Sequence, residues 1–260
     1  MIVIKYGGST LSSQENTILQ EISQLHQAGE KIVVVHGGAA LVNEELAYHK
    51  VETKMIDGFR YTDKTTMEIV QRVLSGQVLR NLVNELIGFG CNAVGLTSGD
   101  GEMIRVRKMQ RNHKGEKTDF GLVGEVESTN PNLLLSLLNA GYLPVVSPVG
   151  TSAAGEAMNL NGDLAAGAVG AMLNANEVIF LTDVAGIYRD YPNPDSLISN
   201  ITLSQIQDLL PSLATGMIPK VKSLISALEG GAKKVRIADG RVPGIIKQAL
   251  TNQVGTVVIK

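Results

Sequence analysis

Short β-branched runs alternate with longer segments of helical periodicity along the chain, and this alternation limits the fold more than any other feature. Runs that are apolar on both sides, such as Ile32 to Val35, are typical of strands buried between two helical layers. The pattern therefore predicts an α/β protein with a parallel sheet. The predicted strands are 2–4, 31–35, 93–96, 143–146, 177–181, 234–237 and 255–259. The predicted helices are about 14–28, 39–49, 64–89, 132–140, 164–173, 203–210 and 220–230.

Glycines and two irregular stretches divide this pattern. Gly29, Gly90 and Gly141 stand where helix C-caps need them. The polar stretch 102–126 predicts a protruding β-hairpin or a long ordered loop, and 188–200 is a turn-rich insertion. Because the chain has neither a low-complexity linker nor an evident repeat, we expect one unit with two lobes.

The composition excludes several functional classes. With 260 residues, 44% of them hydrophobic, the chain can bury a full core, and its net charge of −2 offers no overall basic surface for nucleic acid or anionic lipid. The single cysteine, Cys91, excludes an internal disulfide framework and a cysteine-based zinc site. The N-terminus lacks the features of a signal peptide, and no apolar run is long enough to span a bilayer. These features predict a cytoplasmic protein without a membrane segment.

Five polar or glycine-rich motifs lie where a predicted strand ends or a predicted helix begins. Open α/β sheets bind ligands at the carboxyl ends of their strands, where glycine lets backbone N–H groups approach phosphate oxygens. Two diglycine motifs there could grip one phosphoryl group from two sides, although a tight turn also explains each of them alone. The motifs are Lys5-Tyr6-Gly7-Gly8-Ser9, His36-Gly37-Gly38-Ala39-Ala40, 158–164, Leu181-Thr182-Asp183-Val184-Ala185-Gly186-Ile187 and Thr215-Gly216-Met217-Ile218-Pro219-Lys220.

Charged side chains in these motifs point to an anionic ligand. Lys5 follows an apolar strand, where lysine is rare unless it meets an anion; the alternative is a lysine that reaches solvent from the strand end. Lys220 begins a helix, where a cation opposes the helix dipole; the alternative is a solvated lysine. Asp163 or Asn161 could cap a helix, but one cap suffices, which leaves polar neighbours for a ligand or for orienting a lysine.

Together the motifs resemble those of the amino acid kinase family, in its N-acetylglutamate kinase branch. Segments 5–8, 36–38, 58–60, 159–163, 181–187 and 216–220 follow the order and spacing of that branch along nearly the whole chain. The resemblance implies a three-layer αβα sandwich with a mainly parallel open sheet, the carbamate kinase-like fold. It also implies a lobe of residues 1–173 for the amino acid and dimer contacts, a lobe of residues 174–260 for ATP, and a homodimer or larger oligomer.

The same resemblance implies a role for each motif residue. Lys5 and Lys220 would contact the transferring phosphoryl group, and Asp163 would hold both lysines. Backbone N–H groups of the diglycine motifs would cradle the phosphate, so that a substrate carboxylate attacks the γ-phosphorus without a protein nucleophile. ATP and Mg²⁺ are the implied cofactors, with no metal ligand assigned to the protein. The implied binding residues are Gly7, Gly8, Gly37 and Gly38 for phosphate, Arg60, Asn159 and Asn161 for the amino acid, and Thr182, Asp183, Gly186, Ile187, Gly216 and Met217 for the nucleotide.

Two acceptors fit the motifs. The runs 60–64, 189–197 and 238–242 look more like paralogues that phosphorylate α-aminoadipate or glutamate attached to the small acidic amino-group carrier protein LysW. The basic run 105–117 would steer such a carrier. Segments 216–220 and 121–126 are at home in acetylglutamate kinases, although Ala39 and Phe59 depart from their usual pattern. We favour the carrier-linked acceptor of lysine or arginine biosynthesis, with the N-acetyl-L-glutamate 5-kinase of arginine biosynthesis as the alternative.

Two hypotheses from other classes remain. A non-catalytic amino-acid sensor on the same fold would be expected to lose a phosphoryl-contacting lysine, but this chain keeps both Lys5 and Lys220. A nucleic-acid-binding module would use the basic run, yet only Phe120 lies nearby as an aromatic for base stacking.

Overall fold

An eight-stranded sheet runs through the computed structural model, which describes residues 1–7, 17–112, 114–213, 217–251 and 254–260. The strands are β1 (Ile2–Tyr6), β2 (Ile32–His36), β3 (Met55–Ile56), β4 (Phe59–Arg60), β5 (Ala93–Thr97), β6 (Ile104–Lys108), β7 (Val123–Thr129), β8 (Leu143–Ser147), β9 (Val149–Thr151), β10 (Ala157–Leu160), β11 (Glu177–Thr182), β12 (Ile187–Tyr188), β13 (Leu197–Ile198), β14 (Asn200–Thr202), β15 (Lys234–Asp239) and β16 (Thr256–Ile259). The order in the large sheet is β14-β16-β15-β11-β1-β2-β8-β5. It is parallel from β15 to β5, and β16 joins β15 antiparallel.

Helices cover both faces of this sheet. They are α1 (Thr17–Gln27), α2 (Ala39–Tyr48), α3 (Lys64–Gln71), α4 (Leu79–Gly88), α5 (Asn132–Asn139), α6 (Gly162–Met172), α7 (Leu203–Leu209), α8 (Ile218–Glu229) and α9 (Ile245–Leu250). Alternate residues of β1 enter different cores: Ile2 and Ile4 pack with α1 to α4 and α9, whereas Val3 packs with α5 to α8. The predicted three-layer sandwich with a mainly parallel sheet is confirmed.

Most of the predicted elements are present with small shifts at their ends. All seven predicted strands form, and Gly29, Gly90 and Gly141 have the positive φ angles expected of helix ends. The predicted helix 64–89 is one helical segment, except that Arg72–Val78 is π-helical between α3 and α4. Helix α9 and the short strands β9 and β10 were not predicted, because each is too brief to give a clear period.

The basic hairpin was expected to protrude, and this expectation is wrong for its strands. β6 and β7 pair antiparallel, but they also close a four-stranded barrel with β9 and β10. The reason is the alternation along β6: Ile104 and Val106 are fully buried, while Arg105 is half-buried and Arg107 is exposed. The barrel brings β10 beside the start of β7, where Asn159 pairs with Val123.

Helix α6 lies very close to both α8 and β11. A Cβ added at Gly167 would come 2.9 Å from the backbone oxygen of Ser223, and one at Gly170 would overlap the side chain of Val178. Glycine at these two positions removes the atoms that would hold the elements apart. As a result, the first turns of α6 and α8 approach each other at the carboxyl end of β1.

Candidate active site

A buried ion-pair cluster lies at the carboxyl end of the central strand β1. Lys5 Nζ is 2.9 Å from Asp163 Oδ1, and Lys220 Nζ is 3.6 Å from Asp163 Oδ2. Asp163 belongs to the first turn of α6, and Lys220 to the first turn of α8. The structure therefore brings together the three residues assigned to catalysis, from three separate elements.

The two lysines keep Asp163 ionised. Burial alone would raise the pKa of this carboxyl, but the positive charges and hydrogen bonds of Lys5 and Lys220 outweigh burial and hold the pKa below its usual value. Asn161 is the N-cap of α6, because its Oδ1 accepts hydrogen bonds from Asp163 N (2.8 Å) and Leu164 N (3.2 Å). Since the cap is Asn161, the carboxylate of Asp163 is left for the lysines.

The cluster forms part of the wall of a cavity of about 300 Å³. The charged residues in its wall are Lys5, Lys220, Arg60 and Asp163, so three cations face one anion. Met55, Phe59, Val70, Leu74 and Val123 supply apolar wall. A cavity with excess positive charge and an apolar side suits an anionic ligand that also carries an uncharged group.

Gly7, directly after β1, lies close to the diglycine turn at Gly37 and Gly38 that lines this cavity. A Cβ added at Gly7 would come 3.0 Å from Gly37 N and 3.3 Å from Lys5 Nζ, so glycine is needed for this close approach. Gly37 N, however, donates to Tyr6 O at 2.8 Å, which corrects the prediction that this N–H is free for phosphate. Gly37 and Gly38 line the cavity, and Gly8 lies outside the described residues.

His36 immediately precedes this turn; it belongs to the predicted motif 36–40 but was assigned no role of its own. Its side chain is fully buried, and Nδ1 lies 2.7 Å from Gly37 O, which requires the Nδ1–H tautomer. Burial lowers the pKa of His36 to about 4, despite the smaller opposing effect of that hydrogen bond. The imidazole is therefore neutral at physiological pH.

Arg60 and Asn159 also line this cavity, and the hydroxyl of Thr62 links them. Arg60 Nη1 is buried and has no hydrogen-bond partner within the described part of the chain, and burial lowers the pKa of its guanidinium. Thr62 Oγ1 donates to Arg60 O (2.8 Å) and accepts from Asn159 Nδ2 (3.0 Å). A buried guanidinium nitrogen without a partner favours an anionic ligand, since leaving it unpaired is unfavourable. Thr62 was missed by the sequence analysis.

Comparison with known proteins identifies the family. Residues 1–239 match the model of the amino acid kinase family. The chain belongs to the amino acid kinase family. The chain is 39% identical to an acetylglutamate kinase of Symbiobacterium thermophilum, with 100% of this chain and 91% of that protein aligned. As an amino acid kinase, it is an enzyme that transfers a phosphoryl group from ATP, with Mg²⁺ as the accompanying ion.

Solved structures of other proteins share the fold. An N-acetylglutamate synthase from Neisseria gonorrhoeae, complexed with coenzyme A and N-acetyl-glutamate, superposes with a TM-score of 0.83 at 26% identity. The alignment covers 100% of this chain but only 59% of that synthase chain. A carbamate kinase from Giardia lamblia bound to AMP-PNP superposes with a TM-score of 0.68 at 20% identity, covering 100% of this chain and 98% of that one.

Of the residues assigned to the nucleotide in this amino acid kinase, Thr182, Asp183, Gly186 and Ile187 lie at or after the carboxyl end of β11, on the same edge of the sheet as Lys5 but outside the cavity wall. Thr182 Oγ1 donates to Asp183 Oδ1 (3.0 Å), and Arg241 donates to Asp183 O (2.7 Å). Ile187 N donates to Thr256 Oγ1, and a Cβ at Gly186 would overlap that hydroxyl. Met217 precedes α8, and Gly216 lies outside the described residues. Arg241, which the sequence analysis missed, ties the turn after β11 to the turn after β15.

Three of the six lysines and arginines in the basic run pair with carboxylates, and Arg111 donates to Gly115 O. Arg105 pairs with Glu102, Arg107 Nε lies 2.7 Å from Glu125, and Lys108 Nζ lies 3.4 Å from Asp119. Lys114 and Lys117 remain exposed near the tip. The net positive charge that this hairpin presents is therefore much smaller than the run of cations suggests.

No group of three or more histidine, cysteine, aspartate or glutamate side chains is close enough to hold a metal ion in the part of the chain that the structure describes. In the same ranges, no helix combines the length and apolar character needed to cross a membrane.

Proposed function

We propose that this amino acid kinase phosphorylates the side-chain carboxylate of an N-acylated acidic amino acid, with N-acetyl-L-glutamate as the acceptor. The observation that carries the proposal is the charge arrangement of the cavity. Lys5 and Lys220 share Asp163 in the wall of the cavity, and Arg60, which also lines it, has a buried Nη1 without a partner among the described residues. Such a cavity can bind one carboxylate at Arg60 and stabilise a phosphoryl group at the lysines. The relatives named acetylglutamate kinase support N-acetylglutamate as the acceptor.

The chemistry requires positioning and charge neutralisation. An oxygen of the acceptor's side-chain carboxylate forms a bond to the γ-phosphorus while the bond from that phosphorus to the bridging oxygen of ADP breaks, giving an acyl phosphate and ADP. Lys5 and Lys220 neutralise the negative charge spread over the transferring group, and Asp163 fixes both ammonium groups. Mg²⁺, when bound with ATP, adds positive charge at the phosphates.

We also assign the two lobes of the chain to different substrates. Residues 1–173 carry Lys5, Arg60, Asn159 and Asp163, and we assign this lobe to the acceptor. Residues 174–260 carry Lys220 and the segment 182–187, and we assign this lobe to ATP. Asn161, besides capping α6, lines the cavity together with Gly162 and is assigned to the acceptor side. A cytoplasmic homodimer completes the proposal.

A second acceptor, aminoadipate or glutamate linked to an acidic carrier protein, is favoured by one observation. Lys114 and Lys117 are exposed at the hairpin tip, whereas Arg105, Arg107 and Lys108 pair with carboxylates and Arg111 donates to Gly115 O. An acidic carrier could be steered by these two lysines, although two exposed charges give much less steering than the whole run would. The non-catalytic sensor is disfavoured, because a sensor has no need for two lysines on one buried aspartate.

An assay of the phosphorylated product tests the proposal. ADP release and trapping of the acyl phosphate by hydroxylamine are measured with N-acetylglutamate, N-acetyl-aminoadipate and carrier-linked aminoadipate side by side. We expect turnover and hydroxamate with N-acetylglutamate. Turnover with only the carrier-linked substrate would establish the second acceptor, and no turnover with any of them would contradict the kinase assignment.

Substitutions at the hairpin tip, residues 114–117, test whether this surface binds a carrier protein. Reversing Lys114 and Lys117 to glutamate should leave kcat/KM for N-acetylglutamate unchanged. If the carrier is the true partner, the same change should lower kcat/KM for carrier-linked substrate and reduce its dependence on salt above about 0.1 M. Lys247→Glu, an exposed lysine on α9, is the matched change of charge elsewhere.

A further inference from the structure

Thr62 is a fully buried loop residue between β4 and α3, and its backbone is anchored on both sides. Thr62 N donates to Phe120 O (3.1 Å), and Thr62 O accepts from Leu122 N (2.5 Å). These bonds attach the loop that carries Arg60 to the segment just after the hairpin tip. Because they use only main-chain atoms, they persist whatever side chain stands at this position.

The side chain of Thr62 has a separate task, which the directions of its hydrogen bonds define. A backbone oxygen can only accept, so the single hydroxyl proton of Thr62 points to Arg60 O at 2.8 Å. The hydroxyl oxygen must then accept from Asn159, which lies 3.0 Å away, and only the amide NH₂ of Asn159 can donate to it. The orientation of the Asn159 amide therefore follows from the chemistry of its partner.

With its NH₂ group held by Thr62, Asn159 has its oxygen Oδ1 left as an acceptor for the cavity that it lines. We propose that Thr62 is a positioning residue that orients Asn159 so that Oδ1 accepts the N–H of an acylated α-nitrogen. A free α-ammonium would meet the positive charge of Arg60 in the same cavity, whereas an amide N–H donates without charge. This inference rests on the proposed function and names the chemical group that the enzyme recognises.

The test compares N-acetylglutamate with its ester analogue, 2-acetoxyglutarate, in which oxygen replaces the α-N–H. The wild-type enzyme should prefer the amide by about tenfold or more in kcat/KM, because the ester leaves Asn159 Oδ1 without a donor. Thr62→Val removes the hydroxyl at nearly constant shape, and the preference should fall to about twofold or less. Thr62→Ser keeps the hydroxyl and should restore the preference. Thr65→Val, at an exposed position on α3, is the matched control.

The outcomes separate this inference from the function on which it rests. A wild-type enzyme that uses neither compound contradicts both. An active wild-type enzyme that uses amide and ester equally, or a folded Thr62→Val that keeps the full preference, overturns only the role of Thr62. A residue that merely stabilised the loop would change the melting temperature and both kcat/KM values together, without changing their ratio. If Thr62→Val does not fold, Thr62→Ala takes its place, and the wild-type ratio is decisive by itself.

Discussion

Asp163 accepts from two lysines, and this sharing defines the chemistry at the scale of single residues. One carboxylate between two ammonium groups leaves a net positive charge, which remains available for a phosphoryl group. Replacing the carboxylate by an amide would remove the attraction that keeps the lysines in place. The cap of α6 would survive, because Asn161 supplies it.

The first prediction follows from this separation of roles. Asp163→Asn, Lys5→Ala and Lys220→Ala should each lower kcat by on the order of a hundredfold, with a much smaller change in the KM for ATP. Steady-state kinetics, with the concentrations of ATP and of the acceptor varied in turn, measure kcat and both KM values. Thr202→Ala removes the capping box of α7 and should lower the unfolding free energy by about 1 kcal/mol without affecting kcat. An effect of the lysine changes on KM alone would contradict their assignment.

The second prediction concerns Arg60. A guanidinium can clasp a carboxylate through two parallel hydrogen bonds, which an ammonium cannot reproduce. Arg60→Lys should therefore raise the acceptor KM by about tenfold or more and leave the ATP KM nearly unchanged. Arg72→Lys, on the exposed side of the π-helical segment, should change neither. Equal increases of both KM values after Arg60→Lys would place this residue elsewhere in the reaction.

At the scale of elements, the site depends on how the hairpin tip joins the acceptor loop. Gly121 has φ +71°, and a Cβ there would overlap the backbone oxygen of Thr62. Phe59 and Phe120 pack edge to face with centroids 5.9 Å apart, beside Met109 and Ile56. This small apolar cluster and the backbone bonds of Thr62 hold β4 against the barrel.

The third prediction uses two glycines of the same hairpin. Gly121→Ala should lower the unfolding free energy by about 2 kcal/mol or more and raise the acceptor KM, because the new methyl group must displace the acceptor loop. Gly115→Ala is the control: its φ is +82°, but nothing lies within 4 Å of an added Cβ. It should lose only about 1 kcal/mol, the penalty of a left-handed backbone with a side chain. Chemical denaturation of both variants measures the difference, and equal losses would contradict the role of the contact.

The same elements show what the sequence can and cannot predict. Local signals suffice for β1, β2 and the glycine-terminated helices, because hydrophobic period and cap chemistry act within a few residues. The meeting of Lys5, Asp163 and Lys220 was inferred only from the family resemblance, since no local rule connects residues so far apart. β9, β10 and the link from Thr62 to Asn159 depend on pairing with distant partners, which periodicity does not reveal. The occupied N–H of Gly37 depends on its register with Tyr6.

At the scale of the whole molecule, the buried groups couple stability to pH. His36 has a folded-state pKa of about 4, against 6.5 in the unfolded chain, because burial disfavours its charged form. As the pH falls, the unfolded chain therefore binds the proton first, and stability is lost between about pH 6.5 and pH 4. The carboxyl of Asp163 has a lowered pKa in the folded protein. Its contribution to the free energy of unfolding is therefore lost only as the pH falls below the usual pKa of an aspartate.

The fourth prediction is a stability profile. From pH 6.5 to pH 4 the unfolding free energy of the wild-type protein should fall by on the order of 3 kcal/mol on account of His36, at about 1.36 kcal/mol per pH unit. Urea denaturation at several pH values measures the slope. His36→Asn should flatten it across this window, because the asparagine side chain does not titrate. A slope unchanged by His36→Asn would show that other groups cause the loss.

The close contact between α6 and α8 also limits how this protein can vary. Gly167 lies about one helical turn after Asp163. A Cβ at position 167 would meet the backbone oxygen of Ser223, which lies about one turn after Lys220. A single added methyl group at position 167 would wedge the two helices apart near their first turns, and so lengthen the gap between Asp163 and Lys220 without altering either. Alanine, the residue that most favours helices, is therefore unsuitable at position 167, although it occurs elsewhere in α6. A library of substitutions at position 167 should yield folded but inactive proteins, in which local helix stability has increased and catalysis has been lost.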